Sequence, residues 1–296
     1  MARDGVHYQK PTSTSGAHPV ALTTAVTSRR RLARDLRTIR VQWQREMIRL
    51  RRNRLSAAMG LLSPLLYLLI LGTGLSSVVA AGGDGSGDFR AYLFPGVLLM
   101  AAQAPALTVG ASIVWDRQSG FLRQMLVLPV GRPALLTGLC LGGASTGAAS
   151  CVPVLVLAGL VGVPYDLRLL VALVEVALLS FAFATLGVLM AVCIRRLETF
   201  QVVAGLSTAP MLFLSGAVFP ASGLPGWLGA AVIANPLTYG VDALRRTLPG
   251  PLDLGGQASG PGWGGWTPPV LLELGIIALL ALAALWVATY RFSRPE

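Results

Sequence analysis

The stretch "TFQVVAGLSTAPMLFLSGAVFPASGLPGWLGAAVIANPLTYGV" (199–241) runs for 43 residues without an Asp, Glu, Lys or Arg. About 20 apolar residues in a helix cover the hydrocarbon core of a bilayer. The run is too long for one crossing and too short for two with a connection, so part of it spans and part does not. In its second half Pro225 is placed to start a short helix through Trp227 to Ile233. Asn235 is a good N-cap, and Pro236, which has no N–H to lose, suits the first helical position. From there Leu237, Val241, Leu244 and Leu248 share one face at steps of 4, 3 and 4. Asp242 precedes Arg245 and Arg246 by three and four residues and is expected to pair with them on the polar face. Pro249-Gly250 stops the helix. The segment 220–250 therefore reads as a re-entrant helical hairpin in the outer leaflet. Irregular backbone at that depth is tolerated only under protein or along a cavity, which makes it a plug or rim at the outer end of a pathway.

The rest of the chain fits that reading. Of 296 residues, 54% are hydrophobic and only 12% charged, half the charge of a soluble domain. Uncharged or nearly uncharged runs at 55–83, 91–115, 133–165, 169–194 and 268–290 each hold one crossing. With 199–241 they predict six transmembrane helices, near 56–76, 92–114, 135–161, 169–193, 200–219 and 270–290. The fold class is an all-α membrane protein, with an amphipathic interfacial helix before the first span and the outer hairpin between helices 5 and 6. Its transmembrane domain covers 55–294.

The net charge of +11 raises the question of nucleic acid. With those spans, 20 of the 24 basic residues fall on one side, against Arg90, Arg168, Arg245 and Arg246 on the other. The positive-inside rule puts both termini in the cytoplasm. The basic excess is membrane topology, and nucleic acid is not a partner. Cys140, Cys151 and Cys193 all lie in apolar runs and read as small hydrophobes. No metal-ligand spacing occurs, no catalytic set assembles, and His7 and His18 sit in a polar N-terminal tail, 1–34, expected to be disordered.

Within 35–54, Leu36, Ile39, Trp43, Met47 and Leu50 continue a stripe begun by Leu32, at steps of 4, 3, 4, 4 and 3. Such a helix lies in the membrane interface, with Trp43 at headgroup depth and its Arg on lipid phosphates. It is an anchor, or a lever between a cytoplasmic partner and the first span. The loop 115–132, "WDRQSGFLRQMLVLPVGR", is far longer than a connection requires. Apolar Phe121 and Leu122 interleaved with Asp116, Arg117, Gly120 and Arg123 make it a docking knob for a soluble protein, or a loop lying on the interface.

The run "LFLSGAVFPASGLPGWLGAAVIANPLTYGVDALRR" resembles the signature region of the ABC-2 family of ABC exporter membrane subunits, such as permeases of daunorubicin-type resistance systems. The 115–132 loop is similar to the family's coupling segment: Asp116, Arg117, Gly120, Leu122 and Pro129 match in kind. Gln118 replaces its second acidic position and Arg123 its usual Glu. The resemblance implies two such subunits, identical or paralogous, above two copies of an ABC ATP-binding subunit. It also implies ATP-driven export of a hydrophobic drug, antibiotic or lipid-like substrate across a bacterial inner membrane. ATP and Mg would then sit on the partner. The chain itself is no enzyme and binds no cofactor: a phosphate-binding loop ends in Gly-Lys-Ser/Thr, and the sole lysine, Lys10, follows Gln9.

Two carboxylates fall inside spans, Glu175 about 10 Å from the outer end of the fourth at 1.5 Å per residue, and Glu273 near the outer end of the sixth. Intramembrane acids suggest function by default. Together with Asn235, Pro236, Tyr239, Asp242, Arg245 and Arg246 they are expected to form a polar outer gate, whether by structural pairing or by contact with substrate. Two other functions remain open: an ion-coupled secondary transporter using Glu175 and Glu273, and a non-transporting membrane anchor. Proton-gradient dissipation would identify the first, and a lack of substrate-dependent export the second.

Overall fold

A computed structural model describes residues 20–81, 89–120, 131–218, 225–249 and 267–293. Among these the secondary structure is entirely helical: α1 Val20–Arg52, α2 Arg54–Ala81, α3 Phe89–Gln118, α4 Arg132–Val156, α5 Arg168–Cys193, α6 Leu197–Phe213, α7 Gly226–Ala234, α8 Pro236–Thr247 and α9 Val270–Ser293. A 3₁₀ turn, Ala158–Val161, follows α4. α1 begins well before residue 34, so the last part of the expected tail is helical backbone. Its Ala, Leu and Arg content favours that state. The first 19 residues of that tail, His7 and His18 among them, lie outside the described residues.

Among the described residues five helices are long and apolar enough to cross a membrane: Ala57–Ser77 within α2, α3, α4, α5 and Val270–Phe292 within α9. The chain is a multi-pass membrane protein. The expected fifth span, 200–219, is only partly realised. α6 has 17 residues, about 25 Å of helix at 1.5 Å per residue, and carries Pro210 in its last turn. The backbone then turns at Ser215 and Gly216, where Gly216 adopts φ 75°, a conformation favouring glycine.

α3 is the central helix, packed on α2, α4, α5 and α6, while α9 lies on α5 and α8. Small residues permit this. A Cβ at Gly110 of α3 would stand 2.3 Å from the Gly187 carbonyl oxygen of α5, so only glycine lets those backbones meet. Without a solvent-driven hydrophobic effect between helices in lipid, such close packing is a main source of association. The outward faces of α2 and α9 are apolar and exposed, with Leu55, Met59, Leu69 and Ile70 on one and Leu271, Leu279 and Trp286 on the other.

The helix ends fall into two groups. Arg132 Nη1 donates to the Phe292 carbonyl at 3.0 Å, Gln118 to that of Arg195 at 3.4 Å, and Arg45 pairs with Asp116, which collects the basic ends of α1, α3, α4, α5 and α9. Thr247 meets Glu175, and Tyr92 meets Gly216, at the opposite end.

Candidate functional site

At that opposite end α8 is built as its sequence dictates. The Asn235 side chain accepts from Leu237 N at 3.1 Å, and its Nδ2 donates to the Met211 carbonyl at 2.6 Å, tying the cap to the end of α6. Pro236 occupies the first turn. The Tyr239 hydroxyl donates to the Ile233 carbonyl at 2.9 Å, which holds α7 against α8. Leu237, Val241, Leu244 and Leu248 are all buried.

The polar face splits in two. Arg246 pairs with Asp242, approaches Glu273 Oε1 at 3.9 Å through Nη2, and donates from Nη1 to the Pro268 carbonyl at 2.7 Å. Glu175 joins from α5 by accepting from Thr247 Oγ1 at 2.6 Å. Arg245 departs from expectation. One helical position round from Arg246, it turns towards α3, where its guanidinium lies 4.2 Å from the Tyr92 ring centroid and Nη2 donates to the Gly216 carbonyl at 3.2 Å. Asp242, Arg246, Glu175 and Glu273 thus come together, with Arg245 in a separate contact on the same helix.

At the basic end α1 lies along α4. Its buried residues are polar, Gln42 and Glu46, because they face glycines. A Cβ at Gly138 would meet the Ile39 backbone at 2.9 Å, and one at Gly142 would meet Glu46 Cγ at 2.7 Å. Trp43 Nε1 donates to Ser145 Oγ at 2.9 Å. Of the stripe read from sequence, Leu36 and Trp43 are exposed while Ile39, Met47 and Leu50 are half-buried. The stripe borders the packed face and does not form it. Arg45 Nη2 reaches Asp116 Oδ2 at 3.2 Å, joining α1 to the end of α3. Arg117 Nη1 donates to the Ala191 carbonyl at 3.4 Å, and Gly120 closes the helix with φ 75°. Phe121, Leu122 and Arg123 lie outside the described residues.

Where α1 meets α2, a cavity of about 290 Å³ opens between α1, α2, α3 and α4. Glu46 forms part of its wall, and burial pushes that carboxyl above the usual carboxylate range against the opposing pull of Arg49 and Arg45. Sequence reasoning passed over Gln42, Glu46, Tyr92 and Thr247. Gly138 and Gly142, four residues apart on α4, were the available signal for a helix docking there.

Residues 37–248 match the family model described as ABC-2 type transporter. Nodulation protein J of Rhizobium leguminosarum bv. trifolii is 30% identical over 211 residues, which are 70% of this chain and 80% of that protein. The putative transport permease ycf38 of Cyanophora paradoxa is 26% identical, over 68% of this chain and 71% of its own. The daunorubicin resistance ABC transporter permease protein DrrB1 of Streptomyces coeruleorubidus is 28% identical, over 64% and 67% respectively.

Proposed function

We propose, from the premise that the chain belongs to the ABC-2 type transporter family as the membrane subunit of an ABC exporter, that it is driven by a separate ATP-binding subunit docked at its basic end. Two copies of that subunit serve two copies of this chain, or this chain and a paralogue. The basic end faces the cytoplasm of a bacterium, an orientation that the charge asymmetry supports. α1 lies in the interface. α6 continued through 214–218 makes a sixth crossing, and α7 with α8 forms a re-entrant rim at the outer mouth of a pathway along α2, α3 and α6. The substrate is an apolar drug, antibiotic or lipid-like molecule.

The observation that carries this reading is the Arg45–Asp116 pair at 3.2 Å. It joins the interfacial helix to the helix leading directly into the 115–132 segment, so displacement of that segment by a partner is transmitted to α1 and on to α2. The test is purification of the tagged full chain from its host in mild detergent, with identification of what comes with it. A stoichiometric chain bearing a phosphate-binding loop is the expected result. Its absence, even with a non-hydrolysable ATP analogue present, would overturn the reading. An ion-coupled mechanism would instead show as dissipation of a proton gradient by the chain alone, abolished by Glu273→Gln.

A further inference from the structure

The cavity between α1, α2, α3 and α4 sets a buried carboxylate, Glu46, near three hydroxyls, with Arg49 and Asn53 also in its wall. Glu46 is 4% exposed, and its Oε1 has no hydrogen-bond partner among the described residues. The nearest cation, Arg49 Nη1, stands 3.9 Å from Oε2 on a side chain that is 55% exposed. Arg45, the other nearby cation, is held by Asp116. Three hydroxyls line the cavity, and each gives its hydrogen to its own helix: Thr108 to the Pro105 carbonyl at 2.6 Å, Thr146 to that of Gly143 at 3.0 Å, and Ser150 to that of Thr146 at 3.0 Å. They present lone pairs only. Pro105 has no N–H to offer the Ala101 carbonyl four residues earlier, and both residues are in the wall. On the lining side chains only Asn53 and Arg49 retain hydrogens to donate.

Three acceptor hydroxyls, on α3 and α4 and not on the segment that carries Arg49 and Asn53, and a buried carboxylate fit a group that only donates. An alkylammonium has three donors, no acceptor and the opposite charge. We infer that this cavity binds the protonated amino group of an amphiphile, with Glu46 as its counter-ion and its apolar body lying along α2 into the bilayer. A volume of about 290 Å³ is at the lower edge for a drug-sized ligand. It takes an amino headgroup and its first carbons, and leaves the rest to lipid. The amine belongs either to a membrane lipid headgroup or to a molecule in transit. Binding needs no ATPase, so it stands or falls apart from the coupling proposed above.

The test uses the full chain in phosphatidylcholine vesicles and an eight-carbon primary amine bearing a diazirine at its far end, with the photolabelled residues mapped by mass spectrometry. The expected result is labelling of α2 and α3 around the cavity, reduced about tenfold for the N-acetylated probe and about tenfold by Glu46→Gln, as loss of a charge-assisted contact implies. Gly60→Leu provides a second variant, since a Cβ there meets nothing within 4 Å and the larger side chain fills the mouth with Glu46 intact. It should abolish labelling, and it decides the matter if Glu46→Gln fails to fold. Equal labelling by the neutral probe, labelling confined to other sites, or full labelling of Gly60→Leu would each overturn the inference. Adding phosphatidylethanolamine separates the two sources: competition identifies a lipid headgroup, and its absence identifies a free amine.

Discussion

Acidic side chains are buried at both ends of this molecule, with opposite consequences. At the α8 end, Asp242 and Glu273 share one arginine, and Glu175 accepts a hydroxyl hydrogen from Thr247. At the α1 end, Glu46 is equally withdrawn from solvent; its only ion pair among the described residues is a 3.9 Å approach to an exposed arginine, where Glu273 meets the less exposed Arg246 at the same distance, and it opens on a cavity. A buried charge is tolerated where partners compensate its lost hydration. In the first cluster both Glu273 oxygens and Glu175 Oε2 also lack a hydrogen-bond partner among the described residues, but Arg246 answers two carboxylates at once within the fold, so the cluster is a fastening. The second leaves part of that compensation to come from outside, so it is a site.

The largest effect that would break this contrast is on Arg246. Arg246→Ala leaves two buried carboxylates without their cation and is expected to cost about 3 kcal/mol, read as a lower midpoint in denaturant titration of the detergent-solubilised chain. Adding Glu273→Gln should recover a large share. An unchanged midpoint for Arg246→Ala would mean that the cluster is not a fastening.

Next comes the seam that holds Glu46. Gly138→Ala drives a methyl into the Ile39 backbone, and forcing packed helices apart costs on the order of 2 kcal/mol. Amide exchange across 38–50 should accelerate while α8 stays protected; uniform acceleration would remove the distinction between the two ends. The seam should also respond to pH. Burial raises the Glu46 carboxyl in the fold, so its favourable contribution is complete below the ordinary carboxylate range and is lost as pH rises through the elevated value. Arg45, Arg49 and Asp116 are the charged groups acting on it, and Glu46→Gln should remove the dependence.

Asn235→Ala tests the other end more gently. Loss of the cap costs about 1 kcal/mol, and loss of the Met211 contact should loosen α6 from α8. An effect on α8 alone would mean that the link to α6 at 2.6 Å contributes little.

These sites differ in how legible they are from sequence. α8 is local: Asn-Pro, a 3–4 periodicity and an i,i+4 ion pair are all written within "NPLTYGVDALRR"; the cap forms, and of the two expected pairings Asp242 makes the one with Arg246. What escapes is which way neighbouring arginines turn, since only the position of Tyr92, far away in the chain, draws Arg245 aside. The α1 seam is non-local. Periodicity picks out Leu36 and Trp43 because they are apolar, but the neighbouring face is chosen by Gly138 and Gly142, which admit Gln42 and Glu46 instead. The boundary of α6 escapes for a third reason. Hydropathy continues unbroken through 199–241, whereas α6 ends at Phe213 and the backbone has turned by Gly216.

The smallest expected effect on stability carries the most functional information. Arg45 and Asp116 are partly exposed, at 42% and 17% of their side chains. An ion pair of that kind contributes roughly 0–1 kcal/mol, so Arg45→Ala should leave the unfolding midpoint nearly unmoved. If the pair only decorates a surface, transport should be equally untouched. If it carries motion from the end of α3 into α1, ATP-dependent export in reconstituted vesicles should fall severalfold while partner binding persists. The charge-swapped pair Arg45→Asp with Asp116→Arg should then restore export better than either single change. Only transmission through the pair predicts loss of export without loss of stability or binding, with recovery on reversal.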